Sequence, residues 1–117
     1  MDLIFQGVVD GQISLERWVE ITATTPARMF GLYPQKGAIA PGSDADIVIY
    51  DPAGRTEIGL HKKHHMNMDH SAWEGFDIAG HVDTVISRGT VVVNNNEYLG
   101  RKGHGQFLKR GMNQYLI

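Results

Sequence analysis

A chain of 117 residues has the size of a single domain and lacks the length for a large barrel with its active-site loops. Eleven Lys and Arg against thirteen Asp and Glu leave a net charge of -2, without the basic excess that phosphate backbones require, so nucleic acid is excluded as a partner class. Cysteine is absent, which excludes disulfides, thiolate zinc ligands, iron–sulfur clusters and cysteine nucleophiles, so any metal must be held by His and carboxylate.

Hydrophobic residues at 42% and charged residues at 21% describe a chain that folds. The longest apolar runs, Ile47-Val48-Ile49-Tyr50 and Val91-Val92-Val93, fall far short of the roughly 20 residues that span a bilayer, so no membrane crossing is expected. The first six residues carry no cationic region and no small-residue cleavage site, and a cytoplasmic location is the resulting expectation.

In chain order, Leu3, Ile4, Phe5, Val8 and Val9 repeat at the spacing of a buried helical stripe, and Gly11 closes it. Ser14 is placed to cap a second helix whose Leu15, Trp18, Val19 and Thr22 line one face. Pro26 ends that run or starts another, predicting one or two further turns up to Gly31. Residues 33–37 read as a connector, and Ala40-Pro41-Gly42-Ser43 as a tight turn. Ile47 to Tyr50 predicts a buried strand stopped by Asp51-Pro52. Residues 55–80 are polar and punctuated by glycine, which predicts a long loop. Two hairpins follow, turning at Arg88-Gly89 and at the asparagines 94–96, because Asn and Gly accept positive φ. The tail beyond Gly100 has too few apolar residues to fold alone and is expected to dock on something.

The fold class expected is α+β, divided into terminal helices over residues 1–35, sheet-forming residues 36–99 with the loop at 55–80, and an extended tail over 100–117.

Several groups invite a chemical reading. His61, His64 and His65, with Asp69 and His70, form the densest set of potential metal ligands, but Lys62 and Lys63 set positive charge beside any cation. The run from Gly37 through Gly42 to Asp44 and Asp46 resembles a phosphate loop in its glycines, yet a strand rather than a helix follows it, so it reads as a structural turn. The spacing of its acids also departs from a calcium-binding loop. Gly103 and Gly105 with Arg101, Lys102, Lys109 and Arg110 read as a tail held by complementary charge rather than as an anion site. Ser14, Ser43, Ser71 and Ser87 sit in no recognisable nucleophile elbow. Trp73 and Phe76 are large apolar groups in a polar stretch, and burial against a core or partner is the expectation.

Four stretches together resemble one family. Residues 24–32 and 37–52 are similar to the N-P-A-x-x-F-G-L and K-G-x-I-x-x-G-x-D-A-D-x-V signatures of amidohydrolases. Residues 64–75 resemble the H-x-x-x-D-Y-N-x-F-E-G segment of dihydropyrimidinases and hydantoinases, and residues 100–110 resemble the G-x-x-G-x-G-x-F-x-x-R near the carboxyl terminus of that group. Thr25 departs from the usual Asn, and His70 and Trp73 from the usual Tyr and Phe.

The resemblance implies the carboxyl-terminal part of a cyclic amidohydrolase: the last helices of a (β/α)₈ barrel, strands of a small β-sandwich, and a tail. The parent so implied opens dihydropyrimidines or hydantoins with a hydroxide bridging two zinc ions, which are held by histidines, an aspartate and a carbamylated lysine. None of those ligand motifs occurs in this chain, so the expectation is no catalytic, cofactor-binding or metal-binding residue here and no activity alone. The implied partners are the amino-terminal barrel of the same enzyme and further copies, met through strand edges and the tail. A stand-alone, non-catalytic interaction module of the same family is the alternative.

Overall fold

A computed structural model describes residues 1–60 and 69–115. Helix α1 spans Asp2–Val9 and ends on Asp10, whose N–H donates to the Gln6 carbonyl at 2.8 Å. Gly11, at φ +69°, then turns the chain away. Ser14 lies in extended backbone, and its Oγ accepts from the Arg17 N–H at 3.2 Å, the expected cap of α2, Leu15–Val19.

The helix does not stop before Pro26. A π-helical turn, Glu20–Thr24, joins α2 to α3, Thr25–Met29, giving one continuous rod. A proline ring in a regular α-helix collides with the carbonyl four residues back, and the wider turn ahead of Pro26 makes room for it. The Thr22 hydroxyl donates to the Trp18 carbonyl at 2.7 Å inside this turn. At the far end the Gly31 N–H donates to Arg28 O and the Leu32 N–H to Ala27 O, the paired bonds of a glycine-terminated helix, with Gly31 at φ +67°.

Ala40 to Ser43 close a tight turn through a 3.0 Å bond from Ser43 N–H to Ala40 O, with Gly42 at φ +92°. The strands that follow, β1 (Ile47–Glu57), β2 (Asp77–Ser87), β3 (Thr90–Asn94) and β4 (Glu97–Tyr98), form one antiparallel sheet in the order β1-β2-β3-β4. Both predicted hairpins are present as two-residue turns, with Arg88 and Gly89 at φ 45° and 78° and Asn95 and Asn96 at φ 44° and 64°.

Four expectations are corrected. The first strand runs on past Asp51-Pro52 to Glu57, because the register slips between Asp51 and Arg55 and carries the proline in the irregularity, where Asp51 Oδ1 accepts from the Ala53 N–H at 2.9 Å. The strand is also less buried than its composition predicts, since Val48 and Ile49 are 39% and 48% exposed. Residues 55–80 are a narrower loop than predicted: Arg55 to Glu57 pair with Asp77 to Ala79, and the Ile58 N–H bonds to Phe76 O at 2.7 Å. Finally, Leu15 and Val19 point outward while Trp18 is buried, so the stripe read along α2 is split between two sides.

The core lies where helices meet sheet. Phe5, Trp18 and Tyr50 form a triangle of rings with centroids 4.7–5.2 Å apart, joining α1, α2 and β1. Ile58, Ile78, Thr56 and Ala27 complete the buried set. The Gln6 amide clasps both backbone groups of Ala79, donating to its carbonyl at 2.9 Å and accepting from its N–H at 3.3 Å. Gly80, at φ +81°, is required where the Tyr50 hydroxyl crosses β2: a Cβ there would lie 2.5 Å from it. Among the described residues no helix is long and apolar enough to cross a membrane.

Candidate functional site

The densest charged group sits at the junction of the connector with the β2–β3 turn. Lys36 Nζ pairs with Asp44 Oδ2 at 2.8 Å and with Asp46 Oδ2. Asp46 Oδ1 accepts from the Arg88 N–H at 2.8 Å, and the Ala45 carbonyl accepts from the Gly89 N–H at 3.0 Å. Gln35 Nε2 donates to Asp44 Oδ2 at 3.2 Å. Burial alone would raise the Asp46 carboxyl, but the Lys36 ammonium and the Arg88 amide outweigh it and hold Asp46 below the usual carboxylate range. Desolvation likewise opposes the charge on Lys36, yet its two carboxylate partners raise it above the ordinary lysine value. Asp46 thus anchors a hairpin turn to the loop before β1, while Asp44 ties that loop to Gln35 and Lys36 of the connector. This agrees with the structural reading of the glycine-rich run.

The histidine-rich group is only partly in view. His61, His64 and His65 lie outside the described residues. Asp69 Oδ1 and His70 Nδ1 meet at 2.7 Å with both side chains exposed. Glu74 and Gly75 close the neck of this segment, where the Leu60 N–H donates to Glu74 Oε2 at 2.9 Å and the Gly75 N–H to Ile58 O at 2.8 Å. Trp73 and Phe76, expected to be covered, are 49% and 51% exposed. Among the described residues no three of His, Cys, Asp and Glu converge as a metal site requires, so these residues do not fit a two-zinc centre.

The serines are occupied by the backbone. Ser14 caps a helix, Ser43 Oγ donates to Pro34 O at 2.8 Å, and Ser71 Oγ accepts from the Trp73 N–H at 3.2 Å. Ser87 differs: the fold brings His104 Nε2 within 3.2 Å of its Oγ, a contact 17 residues apart that no local spacing revealed. Among the described residues no carboxylate hydrogen-bonds that imidazole, so the third member of a nucleophilic triad is missing.

The tail is anchored at two points by hydrogen bonds rather than by its charges, which corrects the electrostatic reading. The Arg88 guanidinium donates to the His104 carbonyl, and further on the Gly111 N–H donates to Gly31 O at 2.8 Å and the Gln114 N–H to Arg28 O at 3.2 Å. Arg101, Lys102, Lys109 and Arg110 form no ion pair with a described carboxylate. Between the anchors Phe107 is 95% exposed.

Polar groups also reach the aromatic core. Burial, and then the nearby Asp2 carboxylate, push the Tyr50 hydroxyl above its usual range. Tyr50 Oη, Asp2 Oδ1 and His81 Nδ1 are buried without a hydrogen-bond partner.

Against this geometry, the comparisons with known proteins are specific. Residues 2–92 match the model of the Amidohydrolase family. The D-hydantoinase of Streptomyces coelicolor is 59% identical over 116 residues, covering 99% of this chain and 25% of that protein. The D-phenylhydantoinase of Escherichia coli O1:K1 is 49% identical over 111 residues, covering 94% of this chain and 24% of its own. Among solved structures, the D-hydantoinase (dihydropyrimidinase) from a Thermus species superposes with a TM-score of 0.89 at 41% identity, over 97% of this chain and 25% of that one. The dihydropyrimidinase of Brevibacillus agri superposes with a TM-score of 0.87 at 46% identity, over 93% and 24%. The chain spans about a quarter of the length of the curated relatives it matches. It belongs to the amidohydrolase family, and across that quarter it is similar to D-hydantoinases and dihydropyrimidinases.

Proposed function

We propose that this chain is the carboxyl-terminal structural quarter of a zinc-dependent cyclic amidohydrolase acting on hydantoins or dihydropyrimidines. In this reading it positions and stabilises the catalytic part without contributing a metal ligand. The observation that carries the reading is the extent of the match: 59% identity over nearly the whole chain, against a quarter of a D-hydantoinase.

The described chemistry accords with it. Asp44 and Asp46 are spent on Lys36 and the Arg88 amide, and Ser14, Ser43 and Ser71 on backbone groups of caps and turns. Residues 1–35 correspond to the last helices of the barrel, 36–99 to the sandwich strands, and 100–117 to the tail. The zinc ions and the carbamylated lysine belong to the part of the enzyme outside this chain, and no step of ring opening is assigned to its described residues. Assembly into oligomers through strand edges and tail, in the cytoplasm, is part of the same proposal.

The test is a chimera in which this chain replaces the matched quarter of the Streptomyces coelicolor D-hydantoinase. A folded, zinc-loaded chimera that opens hydantoin supports the proposal, and a folded, zinc-loaded chimera without turnover refutes it.

The second reading, a stand-alone interaction module of the same family, is favoured by the exposure of Phe107 and Trp73. It requires the free chain to be monodisperse and to capture a defined protein other than a hydantoinase.

A further inference from the structure

The helical rod and the tail, far apart in sequence, meet at the end of α3. The carbonyls that close a helix have no partner within it and need donors from elsewhere. For α3 such donors come from the tail: the Gly111 N–H donates to Gly31 O at 2.8 Å and the Gln114 N–H to Arg28 O at 3.2 Å. Gln114 Nε2 adds a bond to Tyr33 O at 3.3 Å. Carbonyl oxygens accept from the backbone of any residue except proline, so these bonds fix a position with little selection of sequence.

The side chains supply the selection. The Arg28 guanidinium lies over the Tyr33 ring, 4.7 Å from its centroid. Among the described residues it forms no ion pair. The hydroxyl of Tyr33, and then that of Tyr115, meet its charge instead, and together they outweigh desolvation and raise Arg28 above the ordinary arginine value. A guanidinium has a flat face and a fork of N–H donors, so it can stack on a ring and serve a second phenol at once. Tyr115 is oriented by its own neighbour, since Asn113 Oδ1 accepts from the Tyr115 N–H at 2.8 Å. Gly31 lets the two backbones touch: a Cβ there would lie 2.1 Å from the Gly111 carbonyl oxygen.

We infer that the end of α3, formed by Arg28, Gly31 and Tyr33, is a receptor for residues 111–115 of the same chain, with Arg28 as the positioning residue that selects this segment through Tyr115. The strap so formed keeps the end of the tail on its own helix. It leaves Phe107, 95% exposed, held between this latch and the bond from the Arg88 guanidinium to the His104 carbonyl. The inference rests on contacts within this chain and stands whether or not the parent protein opens a cyclic amide.

The chain carries its own reporter. Trypsin cuts after Lys and Arg, and the Arg110–Gly111 bond leads straight into the strap, whereas the Arg101–Lys102 and Lys102–Gly103 bonds lie ahead of it. A docked segment has to detach before a protease can take it up. The quantity measured, by mass spectrometry on the full chain, is the rate of cutting at Arg110–Gly111 divided by the rate at the two earlier bonds. Arg28→Ala is expected to raise that ratio about tenfold, because cutting follows the population of the detached state. Far-UV circular dichroism stays unchanged. Should Arg28→Ala shorten the helix, Tyr115→Ala, which lies outside every helix, reads out the same rise. The wild-type ratio is expected to be equal at low and high protein concentration, as a contact within one chain requires.

An unchanged ratio in both variants overturns the role of Arg28 and Tyr115. A rise with Arg28→Ala alone, accompanied by loss of helix, overturns selection through Tyr115. A wild-type ratio that falls as protein concentration rises means that the strap joins two copies, and overturns docking within the chain.

Discussion

The aromatic junction and the tail are both joined to the rest of the chain by contacts far apart in sequence, yet they are built from opposite materials. At the junction the side chains are buried: Phe5, Trp18 and Tyr50 interlock, and polar contacts such as that of Gln6 with Ala79 accompany the packing. In the tail the main chain is tied down at Gly111 and Gln114 while its large side chains face outward, Phe107 at 95% and Met112 at 87% exposure. Burial of apolar area stabilises strongly and without direction, whereas a backbone hydrogen bond contributes only about 1 kcal/mol but fixes position. The junction therefore holds this chain together. The tail is merely held in place, with its apolar groups available to another surface.

Breaking the junction has the largest expected effect. Trp18→Ala removes the middle of the triangle and is expected to cost about 3–5 kcal/mol, enough to abolish a cooperative thermal transition by circular dichroism. A transition within a few degrees of the wild type would show that the triangle does not carry the fold.

The Lys36 cluster comes next. Lys36→Met leaves Asp44, which is part-buried, and Asp46 without the ammonium they share, and a loss of about 1 kcal/mol is expected, near the upper end for exposed pairs. The pH dependence follows from the shifts. Asp46 is lowered from 3.8, so its stabilising contribution is present above that value and is lost as pH falls through the still lower folded value. Lys36 is raised from 10.5, so its contribution is present below that value and disappears as pH rises through the folded one. Denaturant titrations at pH 6 and pH 3 check the acid side: the wild type loses more stability between them than Lys36→Met does.

Gly31→Ala probes how the tail is attached. Gly31 stands at φ +67°, and an added Cβ would lie 2.1 Å from the Gly111 carbonyl oxygen, so the tail must lift while the helix ahead of it persists. Limited proteolysis should cut within residues 105–115 several-fold faster, and the strain of Ala at this φ should lower the thermal midpoint by a few degrees. Equal protection in both proteins would place the attachment elsewhere.

The remaining effects are expected at Tyr50 and, smallest, at Phe107. Tyr50→Phe deletes a buried hydroxyl that has no hydrogen-bond partner while keeping the ring, so stability at pH 7 should rise by about 1 kcal/mol. Because burial raises the folded value of that hydroxyl above 10.0, the wild type should lose stability as pH climbs past 10, and the Phe variant should lose less. Phe107→Ser should leave the melting curve of the isolated chain unchanged.

Much of the local structure was legible because it is written in local chemistry. The Ser14 cap, the glycine stops at 11 and 31, the Pro41-Gly42 turn and both two-residue hairpins depend on single residues with narrow backbone preferences. What escaped notice depends on distant partners. Pro52 reads as a strand stop, and only pairing with β2 carries the strand around it. Leu15 and Val19 read as sharing one face with Trp18, and only the packing of α2 on the sheet shows that Trp18 is buried while they point outward. The consumption of Asp44 and Asp46 by Lys36 and the Arg88 amide was invisible for the same reason, since Arg88 lies 42 residues beyond Asp46. The motifs that carry the family resemblance have structural roles in this fold: Asp46 anchors a turn, Asp44 pairs with Lys36, and Glu74 and Gly75 close the neck of a loop.

The central claim is that this quarter of the enzyme shapes the catalytic part and performs no chemistry itself. Its most direct test is ring opening of hydantoin and dihydrouracil by the purified 117-residue chain supplied with zinc and bicarbonate. The account predicts no turnover above the buffer rate. Turnover that persists through repurification, and that disappears when His61, His64 and His65 are replaced by Ala, would contradict it and locate a working metal site within this chain.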